Sequence, residues 1–262
     1  MISKKLDKKM IATLAILVSL FILLGIFFLK IKDSSDDYIL SDYEENLLKY
    51  FKEIVLESEF YDSPKKVVKW RKPMILFISK EEECEKQIKV IQSTIQRINA
   101  LATDGFEIRL TDDIAKSNSI LYLSTIDKVA ELDAEFYSYM ENGIVDEDFV
   151  GFTYVEFEWS DYTITKSSIF IDIEDSTDIQ ESTILEEVTQ SLGIPNDSEK
   201  YPNSVFYQYQ IEENCINKEY SKMDEDIVRL LYHPEMNPGI DNTQVEKVIK
   251  RILSSDKFYI SN

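Results

Sequence analysis

Hydrophobic residues form one long uninterrupted stretch near the start of this 262-residue chain and shorter periodic patterns after it. The stretch from Met10 to Leu29 holds twenty residues and no charge. A helix of this length extends roughly 30 Å, which is the thickness of the hydrocarbon core of a bilayer. It is apolar on every side, and no small-residue cleavage site follows it. The pattern predicts an uncleaved transmembrane anchor at residues 10–30.

The charges on either side of this stretch predict its orientation. Four lysines and a single Asp precede it, whereas two lysines and then three aspartates follow it within eight residues. An excess of Lys on one side marks the cytoplasmic side. We therefore expect a cytoplasmic tail at residues 1–9 and a single pass through the cell membrane. The chain that follows the anchor should lie outside the cytoplasm.

Beyond the anchor, the periodicity predicts an α+β domain. Residues 31–64 form an acidic spacer and a membrane-proximal helix, in which Leu47, Phe51 and Ile54 recur at helical spacing. The ectodomain at 65–262 then follows as one unit. The first predicted strand is the apolar run that ends the segment 66–79, and the others lie at 106–113, 118–125, 149–159 and 163–175. The predicted helices lie at 81–103, 129–143, 178–193, 222–232 and 243–255.

The order is a strand, a long helix, several strands and a helix, and then a mostly irregular and helical C-terminal part. It indicates an α+β fold with one mixed sheet backed by helices. The pair 149–159 and 163–175 is rich in β-branched and aromatic residues and predicts a hairpin. The spacing of Asp178 and Glu181 suggests a capping box at the start of the following helix.

The composition of the chain excludes several classes of function. The chain has 49 acidic and 29 basic residues and a net charge of −20, so we expect no nucleic-acid partner, because phosphate binding needs concentrated Lys and Arg. His233 is the only histidine, which excludes any site that requires two imidazoles. The two cysteines, Cys84 and Cys215, could form one disulfide or remain as two thiols, and the sequence leaves this open.

The most informative motif is LEEVTQSLGIPNDS at residues 185–198. Zinc peptidases with HExxHxxGxxH place two histidines one helical turn apart, a glutamate base beside the first, and a glycine where the chain turns back to the metal. The spacing is kept here without the histidines. The aligned positions, in order, are Glu186, Glu187 as the base, Gln190, Gly193 as the structural turn, and Asn196 or Asp197.

On these residues the chain resembles a zincin-like domain of the metzincin type with a degenerate motif. The segment NSVFYQY stands where metzincins carry a turn beneath the metal, and SKMDEDIVRLLYHP is similar to their closing helix. The chain resembles in particular an uncharacterised bacterial family of secreted or lipid-anchored proteins with E-E-x-x-Q-x-L-G-x-x-N-D and then L-L-Y-x-P-x-x-x-P-G. The resemblance covers most of residues 66–240. The second signature comprises Leu230, Leu231, Tyr232, Pro234, Pro238 and Gly239.

Three interpretations of the motif remain open at this point. Glu186 and Gln190 could simply be exposed or hydrogen-bonded to each other on an amphipathic helix. A cleft could persist without a metal and bind a ligand through Glu186, Glu187, Gln190, Asn196 and Asp197. Calcium could be held by the oxygens of Glu186, Glu187, Gln190 and Asp197, although the spacing is not that of a calcium loop.

We expect a non-catalytic pseudopeptidase without a cofactor, which binds a peptide, a protein or a cell-envelope component. No metal site and no zinc are predicted, because the motif has no imidazole. The alternative is an atypical metal-dependent peptidase or hydrolase in which Glu187 is the general base.

Overall fold

The structure is a computed structural model, and it describes residues 38–57, 64–81, 83–143, 150–211 and 215–255. The predicted cytoplasmic tail at 1–9 and the predicted anchor at 10–30 lie outside the described residues. Within the described ranges, no helix combines the length and the apolar character that crossing a membrane requires.

The centre of the fold is a mixed five-stranded sheet with the order β2-β1-β3-β5-β4. The first four strands in this order are parallel, and β4 runs antiparallel to β5 at the edge. The strands are β1 (Met74–Lys80), β2 (Ile108–Thr111), β3 (Ser119–Ser124), β4 (Gly151–Glu158) and β5 (Thr163–Asp172). The predicted α+β class and the predicted hairpin of β4 and β5 are confirmed.

Seven α-helices surround this sheet in the described part of the chain. They are α1 (Asp42–Leu56), α2 (Glu85–Leu101), α3 (Ile126–Leu132), α4 (Ala134–Gly143), α5 (Thr177–Gln190), α6 (Lys222–Leu231) and α7 (Asn242–Leu253).

Two local predictions were wrong. The single helix predicted at 129–143 is two helices, because Asp133 ends α3 and its carboxylate then accepts a hydrogen bond from the Phe136 N–H (3.0 Å) as α4 begins. The capping residue of α5 is Ser176, whose Oγ accepts from the Ile179 N–H (3.4 Å), and not Asp178. Asp178 lies inside the first turn and pairs with Lys218.

The two faces of the sheet carry cores of very different size. Side chains alternate between the faces along each strand, so Ile169 and Ile171 of β5 enter the large core while Phe170 enters the small one. The large core also contains apolar residues of α1, α2, α5, α6 and α7. The small core lies under α3 and α4 and consists of Tyr122, Val129, Phe136, Met140, Phe152 and Phe170.

Helix α1 packs into the large core. Leu47, Phe51 and Ile54 are completely buried, at the spacing that the sequence predicts for one helix face. The Tyr50 hydroxyl is hydrogen-bonded to Ser204 Oγ (2.8 Å) in the segment that precedes α6. Therefore the helix closest to the predicted anchor is fixed to the same core as the C-terminal half of the chain.

Removing one apolar side chain of α1 should test this packing. Phe51→Ala leaves a cavity in the core, and we expect it to lower the free energy of unfolding by about 3–5 kcal/mol. Asn46→Ala changes an exposed position on the same helix and should stay within about 0.5 kcal/mol of the wild type. Urea unfolding followed by circular dichroism measures both. A loss below about 1 kcal/mol for Phe51→Ala would show that α1 is only loosely attached.

The ion pair between α1 and α7 should make stability depend on acid. Glu246 of α7 accepts hydrogen bonds from Lys52 (2.8 Å) and Lys250 (2.9 Å), which lower the pKa of its carboxyl group to about 2. A carboxyl pKa that is lower in the folded state stabilises the fold above the unfolded value of 4.5, and this contribution is lost as pH falls towards 2. Since the side chain is 41% exposed, the contribution is at most about 1 kcal/mol.

The measurement is the free energy of unfolding of wild type and Glu246→Gln across this pH range. The variant should lose less stability than the wild type as pH falls. Parallel curves for the two proteins would contradict the assignment.

Candidate functional site

The candidate site is the carboxyl end of α5 and the turn that follows it. Helix α5 ends at Gln190, and the Gly193 and Ile194 N–H groups still bond the Gln190 carbonyl at 2.9 and 3.1 Å. The chain then runs back past α1 towards Ser198, which bonds Phe206 through the backbone (2.9 Å). All positions of the E-E-x-x-Q motif therefore lie on the last two turns of one helix, beside a tight turn.

Gly193 occupies a position that no other residue could fill without moving the backbone. Its φ is +103°, which L side chains rarely adopt, and a Cβ atom there would lie 2.0 Å from the Val68 carbonyl oxygen. The two carbonyls before Gly193 also accept hydrogen bonds. Trp70 Nε1 donates to the Ser191 carbonyl (2.9 Å), and the Tyr232 hydroxyl donates to the Leu192 carbonyl (2.8 Å). The turn is thus packed directly against the segment that precedes β1.

Gln190 and Asp197 are brought together by this turn. Gln190 Nε2 donates to Asp197 Oδ1 at 2.7 Å, a short bond from an amide to a carboxylate. Asn196 instead donates to the Asp197 carbonyl (2.9 Å) and, more weakly, to the Glu53 carbonyl of α1 (3.4 Å). Asn196 therefore points towards α1 and links the turn to that helix.

Glu186 has a partner outside the motif. Gln210 Nε2 donates to Glu186 Oε2 at 3.3 Å and also to the Val205 carbonyl at 2.9 Å. Ser182 Oγ, one turn earlier on α5, bonds Gln210 Oε1 (3.0 Å). The Gln210 amide thus ties α5 to the segment between α5 and α6.

Glu187 is buried beneath the start of the edge strand. Its side chain is 7% exposed, and a Cβ on Gly151 would lie 3.0 Å from Glu187 Oε1 and 2.3 Å from Thr183 Cγ2. The Thr153 hydroxyl donates to the Glu187 carbonyl (2.9 Å). Helix α5 and β4 approach so closely because position 151 has no side chain.

The segment beneath α5 is held by a buried carboxylate. Asp224 is completely buried at the start of α6, and it accepts hydrogen bonds from Ser204 Oγ (2.5 Å), the Ser221 N–H (2.8 Å) and the Val205 N–H (3.3 Å). Burial raises the pKa of the Asp224 carboxyl group, although these hydrogen bonds oppose the effect. Tyr50 of α1 joins this network through Ser204.

The sequence did not reveal Gln210, Asn217 or Glu53 as partners of the site. Asn217 donates to the Ser204 carbonyl (2.8 Å), and Glu53 accepts from Ser198 Oγ (2.9 Å). All are polar residues outside any recognisable motif. Only their distance in the folded chain identifies them.

The histidine and the cysteines lie away from the motif's hydrogen bonds. His233 follows α6, where its Nδ1 accepts from the Glu235 N–H (3.2 Å) and burial lowers its pKa, with Glu235 opposing. Cys84 occupies the N-cap position of α2 without a side-chain capping bond, and Cys215 Sγ lies 3.9 Å from the Tyr209 carbonyl oxygen. Both are free thiols and do not form a disulfide. In the described ranges, no group of three or more His, Cys, Asp or Glu residues could hold a metal ion.

The second signature lies on the other side of the segment at residues 66–70. Gly239, with φ +84°, donates its N–H to the Val67 carbonyl (2.8 Å), while Tyr232 is completely buried and its hydroxyl accepts from the Trp70 N–H (3.3 Å). The first signature ends at Asp197 and the second begins at Leu230, yet both meet the same short stretch of backbone at 66–70.

This α+β domain, with a helix-and-turn site beside an antiparallel edge strand, matches a known family profile over residues 44–251. The family is described as a protein of unknown function, DUF2927, and the chain belongs to it. The match begins within α1 and ends within α7, and it confirms the expectation of an uncharacterised domain family. No curated protein matches the chain.

The close approach at Gly193 gives a testable prediction with a matched control. Gly105 also has a positive φ (+92°), but no atom lies within 4 Å of the position of its Cβ. Gly105→Ala should therefore cost only the backbone strain, about 1–2 kcal/mol. Gly193→Ala adds a clash with the Val68 carbonyl and should cost more than about 4 kcal/mol or prevent folding. Equal effects in thermal unfolding would show that the turn is not packed on Val68.

Proposed function

We propose that this protein is a membrane-anchored, extracytoplasmic zincin-like domain that has no catalytic metal and binds an extended peptide. The order of elements supports the zincin-like relationship. A strand, a long helix and further strands precede α5, which carries the Glu, Glu and Gln of the motif and ends at the Gly193 turn. The segment at 203–209 and helix α6 then follow at the places where a metzincin carries its turn and its closing helix.

One observation carries the proposal of a non-catalytic site. Gln190, in the position of a metal-binding histidine, donates its amide hydrogen to Asp197, one of the two candidates for the third ligand. An amide that donates to a carboxylate neutralises none of its charge, yet it fixes the geometry of both groups. The pair suits a rigid polar wall for a ligand better than the inner sphere of a metal.

The available donors do not suit zinc or calcium. Catalytic Zn²⁺ takes about three protein ligands, usually with imidazole, and His233 has Lys69, Asp104 and Glu235 as its electrostatic neighbours. Calcium needs six to eight oxygens, whereas the Glu186 carboxylate is bonded to Gln210 and that of Asp197 to Gln190.

The edge strand offers a surface for an extended peptide. Strand β4 pairs with β5 on one side, and no described strand pairs with its other side. An unpaired strand edge can accept a further strand through its backbone groups. Because Thr153 and Gly151 of β4 contact α5 at Glu187, a peptide along this edge would lie beside the motif.

The charge of the chain favours basic peptides. A net charge of −20 attracts cationic ligands over distances of about one Debye length, and this attraction weakens with salt. We therefore expect the peptides that bind most tightly to carry Lys or Arg.

A competing proposal is a hydrolase in which Glu187 acts as general base. The observation in its favour is that Glu187 keeps the position of the base on α5 and is almost fully buried.

The test is selection of a randomised dodecapeptide library on the full-length chain in detergent, followed by measurement of dissociation constants for the selected peptides. The double variant Gln190→Ala/Asp197→Ala removes both partners of the wall, and it should weaken binding about tenfold, or 1.4 kcal/mol. Gln92→Ala, at an exposed and uncharged position of α2, is the control and should bind as the wild type does.

Binding that survives the double variant would contradict the assigned site. Hydrolysis of a labelled protein substrate by the wild type, and its loss in Glu187→Gln, would favour the hydrolase instead.

A further inference from the structure

The opposite face of the sheet contains a cavity of about 210 Å³ that is separate from the α5 site. Helices α3 and α4 cover only part of this face. Their apolar residues bury one row of side chains across the three strands β3, β5 and β4, in which Tyr122, Phe170 and Phe152 are neighbours. The cavity begins where this cover ends.

The next row across the same strands forms the floor of the cavity. Ile120 of β3, Ser168 of β5 and Tyr154 of β4 are neighbours in register. Ser168 is the small residue between two large ones, so the floor is indented at its centre. No described group bonds the Ser168 hydroxyl, which is half-buried and can therefore bond a ligand.

The walls supply both an aromatic surface and charged hydrogen-bonding groups. Tyr139 of α4 stacks on Tyr154, with ring centroids 4.0 Å apart and an angle of 13° between the planes. Glu156 and Lys166 are paired across the strands at 3.3 Å, and Glu135 is exposed at the start of α4.

This lining selects a chemical class. Three carboxylates, those of Asp133, Glu135 and Glu156, outnumber the single Lys166, so an anion would be repelled. Asp133 already accepts hydrogen bonds from the Tyr122 hydroxyl and the Phe136 N–H, and Glu156 is paired with Lys166. The Glu135 carboxylate therefore needs hydrogen-bond donors from a ligand, while the Ser168 hydroxyl can donate to an acceptor. A neutral molecule that is rich in hydroxyl groups provides both, and the C–H groups of a sugar ring can contact the tyrosine pair.

The size of the cavity limits the ligand to one ring. Sites for drug-sized ligands occupy about 300–1,000 Å³, and this cavity of about 210 Å³ lies below that range. We propose that this cavity is a binding site for a single pyranose unit of a neutral saccharide, on the face of the sheet opposite α5.

The experiment is titration of the full-length chain with methyl glucoside and with methyl N-acetylglucosaminide, followed by saturation-transfer NMR. The detergent must have no sugar headgroup, so an amine oxide is used. We expect saturable binding of at least one glycoside at millimolar concentration. The absence of saturable binding by both would overturn the proposal.

Two variants of the lining test the location. Ser168→Leu fills the indented floor and should weaken binding by about tenfold. Glu135→Ala removes an exposed acceptor without touching the core and should weaken it about threefold, which keeps the test valid if Ser168→Leu folds poorly. Ser160→Leu makes the same change as Ser168→Leu at the exposed tip of the β4–β5 hairpin and should have no effect.

The remaining outcomes distinguish this site from the peptide site. Gln190→Ala/Asp197→Ala should leave glycoside binding unchanged, because the sheet separates the two places. Binding that is unaffected by both Ser168→Leu and Glu135→Ala would place the saccharide elsewhere and overturn the proposal. Saturable binding of the cation tetramethylammonium, without binding of either glycoside, would overturn the proposal that the ligand is a neutral saccharide.

Discussion

The buried ammonium group of Lys69 is the interaction on which the arrangement of the C-terminal half depends. Lys69 Nζ donates to Asp104 Oδ2 (2.7 Å) and to the carbonyls of Leu231 (2.6 Å) and Met236 (3.0 Å), and it lies 4.6 Å from the centre of the Tyr232 ring. Burial lowers the pKa of Lys69, while Asp104 opposes this. A buried charge is tolerated only when such partners surround it, so the end of α6 and the loop after α2 are fixed together.

This anchor explains why two distant signatures belong to one site. The stretch 66–70 carries Lys69, receives the Gly193 turn from one side and bonds Gly239 on the other. A side chain on Gly193 would displace the Val68 backbone that positions the end of α5, whereas a side chain on Gly239 would contact the Tyr162 ring. The glycines and Tyr232 of the two signatures therefore serve packing, and this packing positions the polar residues at the end of α5.

The two proposed sites use the two faces of the same edge strand. Odd-numbered positions of β4, such as Gly151 and Thr153, contact α5, whereas Tyr154 and Glu156 line the cavity on the other face. Alternation along a strand makes this division automatic. The two faces differ in chemistry. On one face α5 packs directly on Gly151, and on the other Ser168 lies in the floor of a cavity that α3 and α4 cover only in part.

The sequence by itself determined the elements and the place of the motif on its helix, because periodicity and the 185–198 spacing are local properties. It did not determine the break at Asp133 or the cap at Ser176, because at each place the hydrogen bond of one side chain fixes which residue begins the helix. The pairing of Gln190 with Asp197, the contact of Glu187 with the edge strand and the cavity beside Ser168 were decided only by the tertiary structure. Each depends on how a turn or a sheet register brings distant residues together, and a polar residue in a sequence does not show which partner it will meet.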